Sequence, residues 1–190
     1  MNFTKKIIID LYKFFIQKYC LVIVKIKYSK SNISWKVFFR LENIVNFKIG
    51  ENSSIGDFTR VYVEDFKPNV KVKSNLTIGK NTYIGEFNNI RAGGGSIAIG
   101  DHCSISQFVS LIASNHGTNK NDLIKNQNWV NTKNNIVIED DVWIGANSVI
   151  LPGVKISKGS IIGAGSVVTK STQPYSINIG APSKLINYRK

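Results

Sequence analysis

The sequence predicts an all-β chain wound as a parallel β-helix of six-residue repeats, with a helical segment ahead of it and one long loop extruded from it. Three observations carry this. Aliphatic residues recur every six positions from Ile49 onward, small residues and glycines hold fixed phases around them, and the step breaks in only three places.

The series runs Ile49, Ile55, Val61; Ile78, Ile84, Ile90; Ile99, Ile105, Leu111; and then without a break Ile138, Ile144, Ile150, Ile156, Ile162, Val168. An ordinary strand would also place apolar residues at the intervening even steps, and a helix of period 3.6 would drift off a strict six within two turns. A chain that makes a short strand, turns, and repeats puts one aliphatic per side into the axis of a triangular coil. Fifteen aliphatics in threes give five stacked coils, a solenoid with one continuous core.

The residue after the aliphatic is often glycine (Gly50, Gly56, Gly79, Gly85, Gly100, Gly145, Gly163), which reads as a tight corner using glycine's freedom in φ. The residue two before it is often small or Val, as at Ser53, Thr59, Thr82, Val109, Ser148 and Ser166. Cys103 holds that slot and reads as a small apolar filler. His102 falls in an outward phase and reads as solvated surface. The breaks add eleven residues between Val61 and Ile78, three between Ile90 and Ile99, and twenty-one between Leu111 and Ile138. A core has no room for them, so they loop outward, where function tends to sit.

Ahead of the coil, residues 5–27 are apolar, but Lys13, Lys18 and Lys25 interrupt every run short of the roughly 18 residues a membrane span needs, and no signal-cleavage site follows. Lys6, Asp10, Lys13 and Gln17 gather on one helical side, with Ile7, Ile8, Leu11, Phe14 and Phe15 on the other and Thr4 placed to cap. Two readings stand: a helix packed on its own protein or a neighbouring subunit, or a basic amphipathic helix making peripheral contact with an anionic membrane. The expected organisation is a helical segment over 1–45, the β-helix over 46–172 with loop 112–135 extruded, and a tail over 173–190.

Lys and Arg number 25 against 12 Asp and Glu, a formal charge of +13, which points to an anionic partner without choosing it. No nucleic-acid-binding signature accompanies the charge, so nucleic acid is not expected. Cys20 and Cys103 are far apart and form no metal-ligand or disulfide pattern, which fits a reducing cytoplasm.

The run VWIGANSVILPGVKISKGSIIGAGSVVTK (residues 142–170), followed by IGAPSK (179–184), resembles the C-terminal signature of hexapeptide-repeat acyltransferases, above all the maltose and galactoside O-acetyltransferases and relatives that acetylate surface polysaccharides. The resemblance spans residues 47–186. It implies a left-handed coil, a homotrimer, and acetyl-CoA as co-substrate bound between neighbouring subunits, with no metal. It makes His116 the general base, a role that suits an imidazole titrating near neutral pH.

Where the family has an acceptor-positioning asparagine, thirty residues upstream of the histidine, this chain has Glu86. Either Glu86 or nearby Asn88 would orient the acceptor, with Asn115 and Trp129 completing that side. The resemblance carries Trp143 and Ala146 to the thioester end of the cofactor, the Ala146 N–H serving as oxyanion donor. It carries Ala164 to the pantetheine arm and Thr169 and Lys170 to the phosphates. The family's last basic residue is matched by Asn187, leaving Lys184 or Arg189 to replace it.

The implied reaction is acetyl transfer in a ternary complex to a hydroxyl of a sugar or surface-glycan precursor, in the cytoplasm or at the inner membrane face. Transfer to the amine of a nucleotide-linked amino sugar would use similar parts. A non-catalytic β-helix binding an anionic surface is the reading from a different class. A γ-type carbonic anhydrase shares the coil but needs three zinc histidines, and the chain has only His102 and His116.

Overall fold

A computed structural model describes residues 3–65, 73–130 and 132–190. Short parallel strands stack into sheets of eight, six and five strands, the three faces of a left-handed β-helix. Ile55, Ile84, Ile105, Ile144 and Ile162 line the first face, and Val61, Ile90, Leu111, Ile150 and Val168 the second. Ile49, Ile78, Ile99, Ile138 and Ile156 line the third. All fifteen are at most 6% exposed, so the six-residue step is the core itself. Successive coils join by backbone bonds such as Gly79 N–H to the Ile99 carbonyl at 2.8 Å.

The coil begins earlier than the expected boundary at residue 46. Ile33 and Phe39 are buried one coil below Ile55 and Val61, in register with them. The helix Phe3–Lys27 ends before them, and its Leu21 and Val24 are buried against that first coil. Phe39, Phe47 and Tyr28 meet edge to face there. A solenoid end exposes apolar core, so a covering element is needed. Within the helix, side chains are described at Ile7, Leu11 and from Phe15 onward; the expected cap Thr4 and the expected sides of Lys6, Ile8, Asp10, Lys13 and Phe14 lie outside the described residues. No described helix is long and apolar enough to cross a membrane.

At the other end, Ser176–Gly180 adds a parallel strand beside Ile161–Ile162, and Ser183–Tyr188 folds back antiparallel upon it. The tail from 173 is thus largely strand, and Ser183–Tyr188 forms the outermost strand of the eight-stranded sheet.

The glycine expectation needs correction. None of the seven glycines after the aliphatics lies at positive φ. They are glycine because the next coil is too close for a side chain: a Cβ on Gly50 would stand 2.6 Å from the Gly79 backbone, and one on Gly145 2.6 Å from the Ala164 nitrogen. The left-handed turn falls two residues later, on Asn52, Asn81, His102 and Asp141 between the third and first faces, and on Phe58, Phe87, Phe108 and Asn147 between the first and second. His102 is a corner residue of this kind and is exposed. Cys103 is buried in the interior slot.

Candidate active site

All three breaks in the step leave the coil after the second face and rejoin it at the third, so the insertions share one corner of the prism. The largest is an ordered ribbon. His116 and Trp129 bridge antiparallel, Gly117 N–H donates to the Asn128 carbonyl at 3.0 Å, and Val130 N–H to the Asn115 carbonyl at 2.9 Å.

Gln127 ties the tip of the ribbon: its Nε2 donates to the carbonyls of Asn119 and Asp122 at 2.8 and 2.9 Å, and its Oε1 accepts from Asn119 N–H at 2.8 Å. Asn134 anchors the base through Nδ2 to the Gly94 carbonyl at 2.8 Å. Sequence reasoning missed both residues, because an amide in an Asn- and Lys-rich loop looks like solvated surface.

His116 is exposed on the first limb of this ribbon, its ring edge-on to Trp129 with centroids 6.1 Å apart. Trp129 is half-buried and lies on Gly94, where an added Cβ would come within 2.1 Å of the indole. Its ring is therefore held in place by packing. Asn115 is exposed next to His116.

Asn88 does not face an acceptor. It is 2% exposed; its Nδ2 donates to the Gly85 carbonyl at 3.0 Å and its Oδ1 accepts from Val109 N–H at 2.6 Å, so both ends of the amide are used inside the coil. The signal was available: position 88 is two before Ile90, the inward slot that Ser, Thr and Cys103 fill elsewhere. Glu86, two residues earlier on the corner between the first and second faces, is half-buried and reached by the Tyr83 hydroxyl at 3.4 Å.

Ala146 and Ala164 occupy the same corner on the coils above Glu86, at the residue following Gly145 and Gly163. The Ala146 carbonyl accepts from Gly165 N–H at 2.8 Å, while its own N–H meets no acceptor among the described residues. An N–H left open at a turn is a donor ready for an external oxygen. Trp143 points outward from the first face, half exposed, with Nε1 3.4 Å from the Ser106 hydroxyl.

Thr169 and Lys170 are exposed where the chain leaves the last second-face strand, and Lys184 is exposed on the terminal hairpin. Arg189, the other basic candidate there, is committed: its guanidinium donates to Asp141 Oδ2 at 2.7 Å and to the Gly159 carbonyl at 3.1 Å. Within one chain, then, Glu86, Ala146 and Ala164 share one corner, and His116 stands beyond the other end of the second face. Among the described residues no cluster of His, Cys, Asp and Glu is arranged to hold a metal.

Residues 135–170 match the bacterial transferase hexapeptide family (six repeats). The galactoside O-acetyltransferase of Escherichia coli (strain K12) is 38% identical over 113 residues, 60% of this chain and 54% of that one, so the chain spans about half the length of this curated relative. A hexapeptide-repeat acetyltransferase of Vibrio cholerae O1 biovar eltor, solved with acetyl coenzyme A, superposes with a TM-score of 0.63 at 27% identity, covering 77% of this chain and 74% of that one. A variant of an N-acyltransferase from Bacillus cereus, solved with dTDP and coenzyme A, gives a TM-score of 0.65 at 26% identity, covering 84% and 82%. By its triangular coil, its matched repeats and these likenesses, the chain is similar to hexapeptide-repeat acyltransferases, the galactoside O-acetyltransferases among them.

Proposed function

We propose that this protein transfers an acetyl group from acetyl-CoA to a hydroxyl of a sugar or surface-glycan precursor, as a trimer whose sites lie between copies. The observation that carries the reading is His116, exposed and held by the Trp129 ribbon at the corner from which every insertion leaves. Trp143, Ala146, Ala164, Thr169, Lys170 and Lys184 are the residues that would hold the cofactor, whose thioester supplies the activated acetyl group.

His116 takes the proton from the acceptor hydroxyl as its oxygen attacks the thioester carbonyl. The Ala146 N–H donates to the developing oxyanion. Collapse breaks the carbon–sulfur bond, and the imidazolium returns its proton to the departing thiolate. Glu86 accepts a hydrogen bond from the acceptor and stabilises the imidazolium. Asn115 lies beside the base, on the acceptor's side.

The test is thiol release from acetyl-CoA against a panel of sugars, amino sugars and nucleotide sugars. His116→Ala should lose about 10²–10⁴-fold in kcat while still binding acetyl-CoA; equal turnover removes the role. The panel also weighs the second reading, transfer to an amine, which the likeness to the Bacillus cereus N-acyltransferase favours. Turnover with amino sugars alone would select it.

We also place the protein at the inner membrane face, held peripherally by its helix. Ile7, Leu11, Phe15, Val22 and Ile26 are exposed along that helix, and Lys18, Lys25 and Lys27 lie among them.

A further inference from the structure

The three breaks in the six-residue step are bonded to one another, and the shortest of them is the junction. Gly94 has both of its backbone polar groups occupied: its N–H donates to Ser74 Oγ at 2.8 Å, and its carbonyl accepts from Asn134 Nδ2 at 2.8 Å. Trp129 covers its remaining side, and its φ is +70°. Beside it, Gly95 is wedged between the two limbs of the ribbon, where an added Cβ would stand 1.8 Å from the Asn134 carbonyl oxygen and 2.2 Å from that of Ala113. The ribbon is therefore rooted on a pair of glycines, and the neighbouring coil fixes their place.

Ser74 makes that link. It stands at the end of the eleven-residue break and is 1% exposed. Its N–H donates to Asp65 Oδ1 at 2.7 Å and its hydroxyl to the Glu64 carbonyl at 2.9 Å, which closes the neck of that break. A serine hydroxyl has one proton to give and two lone pairs to offer. The proton goes to Glu64, so Oγ meets Gly94 as an acceptor, and a buried N–H deprived of it has to turn to find another.

We propose that Ser74 is a positioning residue for His116, acting through Gly94 and Trp129, so that the first insertion sets the place of the base carried by the largest. Without the Ser74 hydroxyl the Gly94 N–H turns toward a new acceptor, the indole resting on Gly94 tips, and the imidazole edge-on to that indole moves with it. Small displacements of a base cost rate steeply. Ser74 is itself buried away from acceptor and cofactor, so their binding is untouched.

The relay rests on the reading of His116 as the base, but its first test needs no turnover. In a His102→Asn background His116 is the chain's one imidazole, and Asn suits the left-handed turn at 102. Ser74→Ala and Asn134→Ala, in protein whose circular dichroism is unchanged, should each shift the NMR signals of the His116 ring; one folded variant suffices. Ser53→Ala strands the Thr82 N–H in the same way at the corner between the third and first faces, and should leave those signals in place. Ring signals at their wild-type positions in the folded variants, or an equal shift in Ser53→Ala, overturn the relay. In turnover, Ser74→Ala should lower kcat about 10-fold with both KM values unchanged. An unchanged kcat, where His116→Ala is inactive, removes the positioning role. Shifted signals beside a fully active His116→Ala would support the placement of the ring and end the base assignment instead.

Discussion

Trp129 stands edge-on to His116, ring centroids 6.1 Å apart, and closes over Gly94 with the rest of its indole. If the indole positions the imidazole, Trp129→Leu should lower kcat by about 10-fold or more and leave the acceptor KM nearly unchanged, because small misplacements of a base are costly. Gly94→Ala should reproduce the effect by displacing the ring. A rise in acceptor KM alone would instead assign Trp129 to holding the acceptor, the side on which the sequence reading put it.

Asn88 and Glu86 are two residues apart and should behave as opposites. Asn88→Ala strands the Val109 N–H inside the coil, while the Gly85 carbonyl keeps the Thr59 hydroxyl, so unfolding by denaturant should show a loss of about 1–3 kcal/mol. The acceptor KM of the folded enzyme should not change. Glu86→Ala should leave stability within about 0.5 kcal/mol and depress acetyl transfer.

Gly50 and Gly165 are glycine for different reasons, which thermal denaturation can separate. Gly50→Ala drives a methyl against the Gly79 backbone at 2.6 Å and should cost about 1–3 kcal/mol. Gly165 has nothing within 4 Å of its missing Cβ but sits at φ +71°, so Gly165→Ala meets only the left-handed penalty, about 1 kcal/mol. Gly165→Asn should be milder still.

Burial pushes the Cys103 thiol up to about 11 from its ordinary value of 9.0, and the neighbouring carboxylates of Asp140, Asp141 and Asp101 add to this. The unfolded thiol ionises first as pH rises, so the stabilisation is fully present below 9 and is lost between 9 and 11. Wild type should therefore lose more stability than Cys103→Ala over that window. Native protein at pH 8.5 should resist alkylation at Cys103; rapid labelling would contradict the buried slot.

Deleting residues 1–27 tests the membrane placement. Sedimentation with vesicles containing anionic lipid should fall, and the remaining binding should be weaker at high salt. Equal binding by the shortened chain would end that idea.

The six-residue step was legible because it is local. Each aliphatic from Ile49 to Val168 reports its burial by its phase alone, whatever lies across the coil. The place of His116 in the largest insertion was legible for a similar reason, since it follows Leu111 along the chain as the step breaks. What counting could not supply were contacts between residues 20 to 40 positions apart. Gly50 faces Gly79, Asn134 holds Gly94, and Trp129 lies on Gly94, and each pairing exists only once the coils are stacked.

Sequence by itself determined the coil from Ile49 onward, its core there and where the insertions begin and end, because a strict period admits one way to bury one side chain per strand. Tertiary structure alone decided that the insertions share a corner, that Asn88 turns inward, and that Leu21 and Val24 cover the first coil. Those outcomes depend on which backbone approaches from the neighbouring turn. That approach is set by stacking, which no single repeat encodes.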